Sequence, residues 1–128
     1  MFAEDEEILR TLFSMIFRQH GFEVLMAVNG REALDIASTF VGEIHLLVSD
    51  VQMPEMTGPD LARALRKSRP HIRIMLLSGN PQGVLLLDDG WVFLKKPVSP
   101  ADVMEKIDSI LGRAPARDID RGNEPGVF

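Results

Sequence analysis

Four short apolar runs set the terms for this chain: "FEVLMAV" (Phe22 to Val28), "IHLLVSD" (Ile44 to Asp50), "IRIMLLS" (Ile72 to Ser78) and "WVFLKKP" (Trp91 to Pro97). Between them lie segments whose apolar residues recur at helical spacing. A run that is apolar on both faces reads as a strand covered on both sides. Strands that alternate with helices read as a parallel sheet with helices on both faces, so the expected class is α/β, doubly wound.

The helical segments carry their own start and stop signals. From Glu6 to His20, Ile8, Leu9, Leu12, Phe13, Ile16 and Phe17 repeat at i, i+3, i+4, which predicts one buried face, and Gly21 supplies a stop. Asn29 with Glu32 three residues on predicts an N-cap and capping box for a helix through Thr39. Thr57 with Asp60 predicts another, its inner face Leu61, Ala62 and Leu65, running until Pro70. The last helix is expected to have Ser99 as cap and Pro100 in its first turn, to bury Val103, Ile107, Ile110 and Leu111, and to stop at Gly112. Beyond it, "RAPARDIDRGNEPGVF" mixes charge, Pro and Gly without periodicity. The expected organisation is one domain over 1–112 and a flexible tail over 113–128.

Bulk properties narrow the function classes. A chain of 128 residues has room for one sizeable core. Cysteine is absent, which excludes disulfides and thiolate metal sites. A formal net charge of -5 argues against nucleic-acid binding through general electrostatics. The basic stretch "RALRKSRPHIR" (Arg63 to Arg73) is expected to be a solvated helix face and its exit loop, and the seven methionines core filler. His20, His45 and His71 show no ligand spacing. No apolar run approaches the ~20 residues needed to span a bilayer, and no signal-like segment opens the chain, so a cytoplasmic protein without a membrane partner is expected.

Sheets of this kind gather their sites at the carboxyl ends of the strands. Asp50, Ser78 and Lys96 all fall at such ends. A carboxylate closing a buried run is costly unless a cation pairs with it. Glu4 and Asp5 form an acidic pair just ahead of the first helix, and Asp5 with Asp50 offers the hard oxygen ligands that suit Mg²⁺. Phosphoryl transfer to a carboxylate needs a nucleophilic Asp, a cation against the charge on the phosphoryl oxygens, and donors around them. Asp50 is the candidate nucleophile and Lys96 the cation. The Ser78 hydroxyl and the Gly79 backbone N–H are the candidate donors.

In their order, "AEDEE", "LLVSDVQMPEMTG", "IMLLSG" and "FLKKP" resemble the receiver domains of bacterial two-component response regulators, the chemotaxis-regulator-like family, from about Phe2 to Leu111. The resemblance implies a flavodoxin-like sheet of five parallel strands in the order 2-1-3-4-5. It implies Asp50 as phosphoacceptor, Asp5 as direct metal ligand, the main-chain carbonyl of Gln52 as a further ligand and Glu4 acting through water, with Mg²⁺ as the cofactor. Ser78 would be the switch hydroxyl, Phe93 the switch aromatic and Lys96 the lysine on the phosphate. Pro97 matches a position where a cis peptide bond is common, and Gln52 and Asn80 match positions that tune dephosphorylation. The implied partner is a histidine kinase or a histidine phosphotransfer domain, with a homodimer left open. "GPDLARALRKSRPHIRIMLLSGN" resembles the hybrid-kinase type more than the DNA-binding regulators.

The chain departs from the family pattern in two places. Only Met1, Phe2 and Ala3 precede the acidic pair, so the first strand is expected to be truncated, leaving backbone groups of its neighbours unpaired. Between Ser78 and Lys96 there is room for a short fourth helix, about two turns. Two other classes stay open. An aspartyl-phosphate phosphatase would carry a second Asp where Gln52 stands, which argues against turnover and for a signalling domain that is not an enzyme. A receiver-like interaction module would never be phosphorylated.

Overall fold

In the computed structural model the polypeptide is described over residues 1–79 and 90–112. Along the described chain run β1 (Phe2–Ala3), α1 (Glu7–Gln19), β2 (Met26–Ala27), α2 (Gly30–Thr39), β3 (Leu46–Asp50), α3 (Gly58–Ser68), β4 (Arg73–Ser78), β5 (Val92–Lys95) and α4 (Pro100–Leu111). The strands form one sheet in the order β2-β1-β3-β4-β5, and every pairing is parallel. This is the expected doubly wound order. The expected short fourth helix, Asn80 and the tail over 113–128 lie outside the described residues.

Alternation along the strands places helices on both faces. Leu47, Ile74 and Leu76 join Ala33, Leu61, Leu65 and Trp91 in one core layer, under α2 and α3. Leu46, Val48, Met75 and Leu77 point the other way, joining Phe13, Phe17, Val103 and Ile107 under α1 and α4. A period of two on a strand demands this split, and it is why the runs look continuously apolar in sequence. Phe2 packs edge-on against both Phe13 and Phe17, with ring centroids 6.2 and 5.3 Å away.

The first strand is as short as expected but is bonded on both sides. Phe2 pairs with Met26 and Val48, and Ala3 with Ala27 and Ser49. The Met1 ammonium donates to the Leu46 carbonyl at 3.0 Å, and the Met1 carbonyl accepts from Val48 N–H at 2.9 Å. Burial, with Arg69 adding to it, pulls that ammonium well below the usual α-amino range. β2 is shorter than its apolar run because an edge strand can pair only as far as its single neighbour, here β1, extends.

The caps sit where the sequence predicts them, but the expected Asn29–Glu32 capping box does not close on the cap residue: the Glu32 carboxylate accepts from Val28 N–H instead, at 2.8 Å. Asn29 accepts from Glu32 N–H at 2.8 Å, Thr57 and Asp60 make a reciprocal capping box, and Ser99 accepts from Asp102 N–H at 3.1 Å. Gly112 closes α4 in the left-handed conformation, φ +69°.

Three further expectations need correction. On α1, Ile8 is 80% and Leu12 44% exposed, because the inward stripe runs through Leu9, Phe13, Ile16 and Phe17. At ~100° per residue, Ile8 faces away from the centre of that stripe and Leu12 falls on its margin, because the most buried residues, Phe13, Ser14 and Phe17, draw the inner face to the other side. Buried Ser14, which no apolar count includes, completes it by donating to the Arg10 carbonyl at 2.5 Å. The basic stretch is more than a solvated face: the Arg69 guanidinium donates to the carbonyls of Gly42, Ala37 and Phe40 at 2.7, 3.0 and 3.0 Å, tying the end of α2 and the following loop to the end of α3. Arg66 likewise reaches the Ile72 carbonyl. Of the methionines, Met1, Met53, Met75 and Met104 are core, whereas Met15 and Met26 are exposed.

Candidate functional site

Because all five strands run the same way, their carboxyl ends share one edge of the sheet. β3 lies between β1 and β4, so Asp50, its last residue, is flanked by the turn after β1 and the end of β4. Glu4 and Asp5 follow β1, Ser78 ends β4 and Lys96 follows β5. Lys96 Nζ lies 2.5 Å from Asp50 Oδ1. Asp50 and Ser78 are each only 7% exposed, and Glu4 2%, while Asp5 and Gln52 are exposed. The Ser78 carbonyl accepts from Lys96 N–H at 2.8 Å, tying the two strand ends together. The Lys96–Pro97 bond is cis, and Lys95 turns outward to solvent.

The charges are held in an uneasy balance. Burial pushes the Glu4 carboxyl up to about 7; the Glu6 N–H it accepts at 3.0 Å pulls the other way, and neighbouring Asp50 adds to the rise. Asp50 is also raised by burial, against the pull of the Lys96 bond and charge. For Lys96 burial alone would lower the ammonium, but Asp50, Glu4 and Glu6 together raise it. Desolvation is therefore the dominant stress on this cluster, and one ammonium does not relieve it.

A divalent cation fits what is left over. Glu4, Asp5 and Asp50 each offer an oxygen within 4.8 Å of the others, among the described residues. Asp50 Oδ1 is buried and, apart from the close ammonium, has no aligned hydrogen-bond donor. Hard oxygens, converging carboxylates and an undersatisfied anionic oxygen are a donor set suited to Mg²⁺.

Of the remaining sequence-predicted residues, Phe93 is half-buried on β5 against the α2–α3 layer. Gly79 is exposed, and a Cβ there would meet nothing within 4 Å, so close packing does not explain the glycine. His20 bonds the Ile16 carbonyl at 2.9 Å and His45 lies 3.7 Å from Glu43, both away from the cluster.

Gly58 is the residue that sequence reasoning missed. A Cβ on it would lie 2.3 Å from the Asp50 carbonyl oxygen and 3.1 Å from Val51 Cα, and its N–H donates to the Val51 carbonyl at 2.8 Å. The first turn of α3 is thus pressed onto the backbone of the candidate nucleophile. The available signal was a glycine directly after an N-cap, a position that by itself does not ask for one. Glu55, in the same loop, holds φ +68°, uncommon for a side-chain-bearing residue.

Comparisons with known proteins identify the family and the fold. The family model described as the response regulator receiver domain matches residues 1–108. The sensor kinase CckA of Brucella abortus is 36% identical over 115 residues, 87% of this chain, and the chain spans 12% of that kinase's length. The crystal structure of the receiver domain of hybrid histidine kinase CckA superposes with a TM-score of 0.75 at 36% identity, covering 86% of this chain and 95% of that one. The response regulator TrrA of Thermotoga maritima, solved in complex with Mg²⁺ and BeF, gives 0.72 at 26% identity, covering 85% and 95%.

Proposed function

The chain belongs to the response regulator receiver domain family, and from that premise we propose that Asp50 is its phosphoacceptor, with Lys96, Ser78 and the Gly79 N–H serving the transferred group. Receiver domains are signalling modules that take phosphoryl groups from histidine kinases or phosphotransfer proteins. The observation that carries the proposal is the meeting, at one sheet edge, of a buried Asp50 with the Lys96 ammonium and the Glu4–Asp5 pair.

In the proposed reaction an Asp50 carboxylate oxygen attacks phosphorus, and the bond from phosphorus to the donor's imidazole nitrogen breaks with its electron pair left on nitrogen. Lys96 offsets charge on the phosphoryl oxygens and Ser78 donates to one of them. Asp5, Asp50 and the Gln52 carbonyl would hold Mg²⁺, with Glu4 acting through water. When bound, that ion supplies positive charge against both the carboxylates and the phosphoryl group. Ser78 moving onto the phosphate, with Phe93 following, would bias a two-state surface. The likeness to CckA supports a receiver of the hybrid-kinase type.

The test is intact mass spectrometry after incubation with acetyl phosphate, with and without Mg²⁺. One phosphoryl adduct that needs Mg²⁺ and is absent from Asp50→Asn is expected. A folded protein without the adduct would leave the fold as an interaction module.

A further inference from the structure

Beside the Asp50–Lys96 pair the structure contains a recess of about 430 Å³ whose apolar part the phosphoacceptor role does not use. Its walls are Phe2, Leu9, Phe13, Leu77 and Val98, apolar side chains from β1, α1, β4 and the segment after β5. Its polar members are Lys96 with Glu4 and Glu6, so among the described residues the cation facing the recess is also the partner of Asp50. Cavities of ~150 Å³ lined by such residues accept a benzene ring, so there is space here for a ring together with a charged head group. A molecule whose anion meets Lys96 therefore has an apolar recess, rather than bulk water, available for its body.

Resting on the reading of Asp50 as phosphoacceptor, we propose that this recess selects small phosphodonors by their leaving group, favouring aromatic acyl phosphates over acetyl phosphate. The step balances without a further reactant. With benzoyl phosphate, an Asp50 oxygen forms a bond to phosphorus, the bond from phosphorus to the benzoyl oxygen breaks, and the electron pair departs on benzoate, with no net proton transferred. The phenyl ring occupies the recess while the phosphoryl group engages Lys96. Pocket contacts of one methylene already discriminate about tenfold or more, so a phenyl-for-methyl exchange is expected to raise the second-order rate of phosphorylation at least about tenfold. Leu9→Gln, which brings an amide into the recess, and Val98→Phe, which fills it, are expected to cut that ratio several-fold while leaving acetyl phosphate reactivity near wild type.

The experiment has two arms on the full chain in Mg²⁺ buffer. Side-chain NMR with phenylphosphonate, whose P–C bond cannot transfer, is expected to show saturable shifts at Leu9, Leu77 and Val98 that methylphosphonate does not produce. Rates of adduct formation from benzoyl and acetyl phosphate are then compared for wild type and both variants. Equal shifts from the two phosphonates, or a rate ratio that neither variant changes, would overturn the inference and leave Asp50 as phosphoacceptor untouched. Adducts from neither donor would instead overturn the phosphoacceptor reading and the donor role together.

Discussion

Replacing Glu4 by Gln removes one charge from the cluster and keeps the shape of the side chain. In the folded protein burial raises the Glu4 carboxyl from 4.5 to about 7. Between those values the native state binds a proton that the unfolded chain has already released. Stability therefore falls as pH rises through this window, in the direction opposite to a salt-bridged carboxylate. At 1.36 kcal/mol per unit, a shift from 4.5 to about 7 corresponds to about 3 kcal/mol lost across the window. Glu4→Gln has no such group. In urea unfolding with a chelator present, wild type is expected to lose about 3 kcal/mol relative to Glu4→Gln between pH 4.5 and pH 7. The Met1 ammonium, lowered by burial, contributes with the opposite sign, but both proteins share it and it cancels in the difference. Mg²⁺ is expected to restore wild type at the upper end by mass action. A wild-type-minus-variant difference that stays flat with pH would refute the claim that Glu4 is buried under desolvation stress.

Gly58→Ala places a methyl 2.3 Å from the Asp50 carbonyl oxygen. It is expected to cost about 1–3 kcal/mol in urea unfolding and to slow phosphorylation, and wild-type values in both would contradict the close contact. Arg69→Ala removes three charge-assisted bonds to the carbonyls that follow and end α2, and a loss of about 1–3 kcal/mol is expected, with unchanged stability the contrary result. Lys96→Met leaves Asp50 buried without its cation. Its carboxyl is expected to titrate higher than in wild type by carbon NMR, and an unmoved titration would mean that the pair does not hold the charge down.

The architecture was legible because alternating runs and caps are local signals. Asn29, Thr57 and Ser99 mark helix starts within a few residues, and the short, nearly continuous apolar run that ends at Asp50 reads as a strand covered on both faces. Strand-end residues Asp50, Ser78 and Lys96 could be grouped from sequence because topology alone brings the carboxyl ends together. Illegible were features set by tertiary contact. The face of α1 depends on where Phe2 sits, so Leu12 was assigned inward and Ser14 was not. Arg69 looks like any surface arginine until the loop around Gly42 folds beneath it. Gly58 matters only because the start of α3 returns to the backbone of Asp50, some eight positions earlier in the chain.

The central claim, that Asp50 carries the phosphoryl group, is tested most directly by trapping the acyl phosphate where it forms. After phosphorylation in Mg²⁺, borohydride reduction converts a phosphorylated aspartate to homoserine, and peptide mass mapping reads its position. The account predicts homoserine at position 50 alone, absent without donor or without Mg²⁺. Homoserine at Asp5 or another acidic residue, with position 50 unmodified, would contradict it.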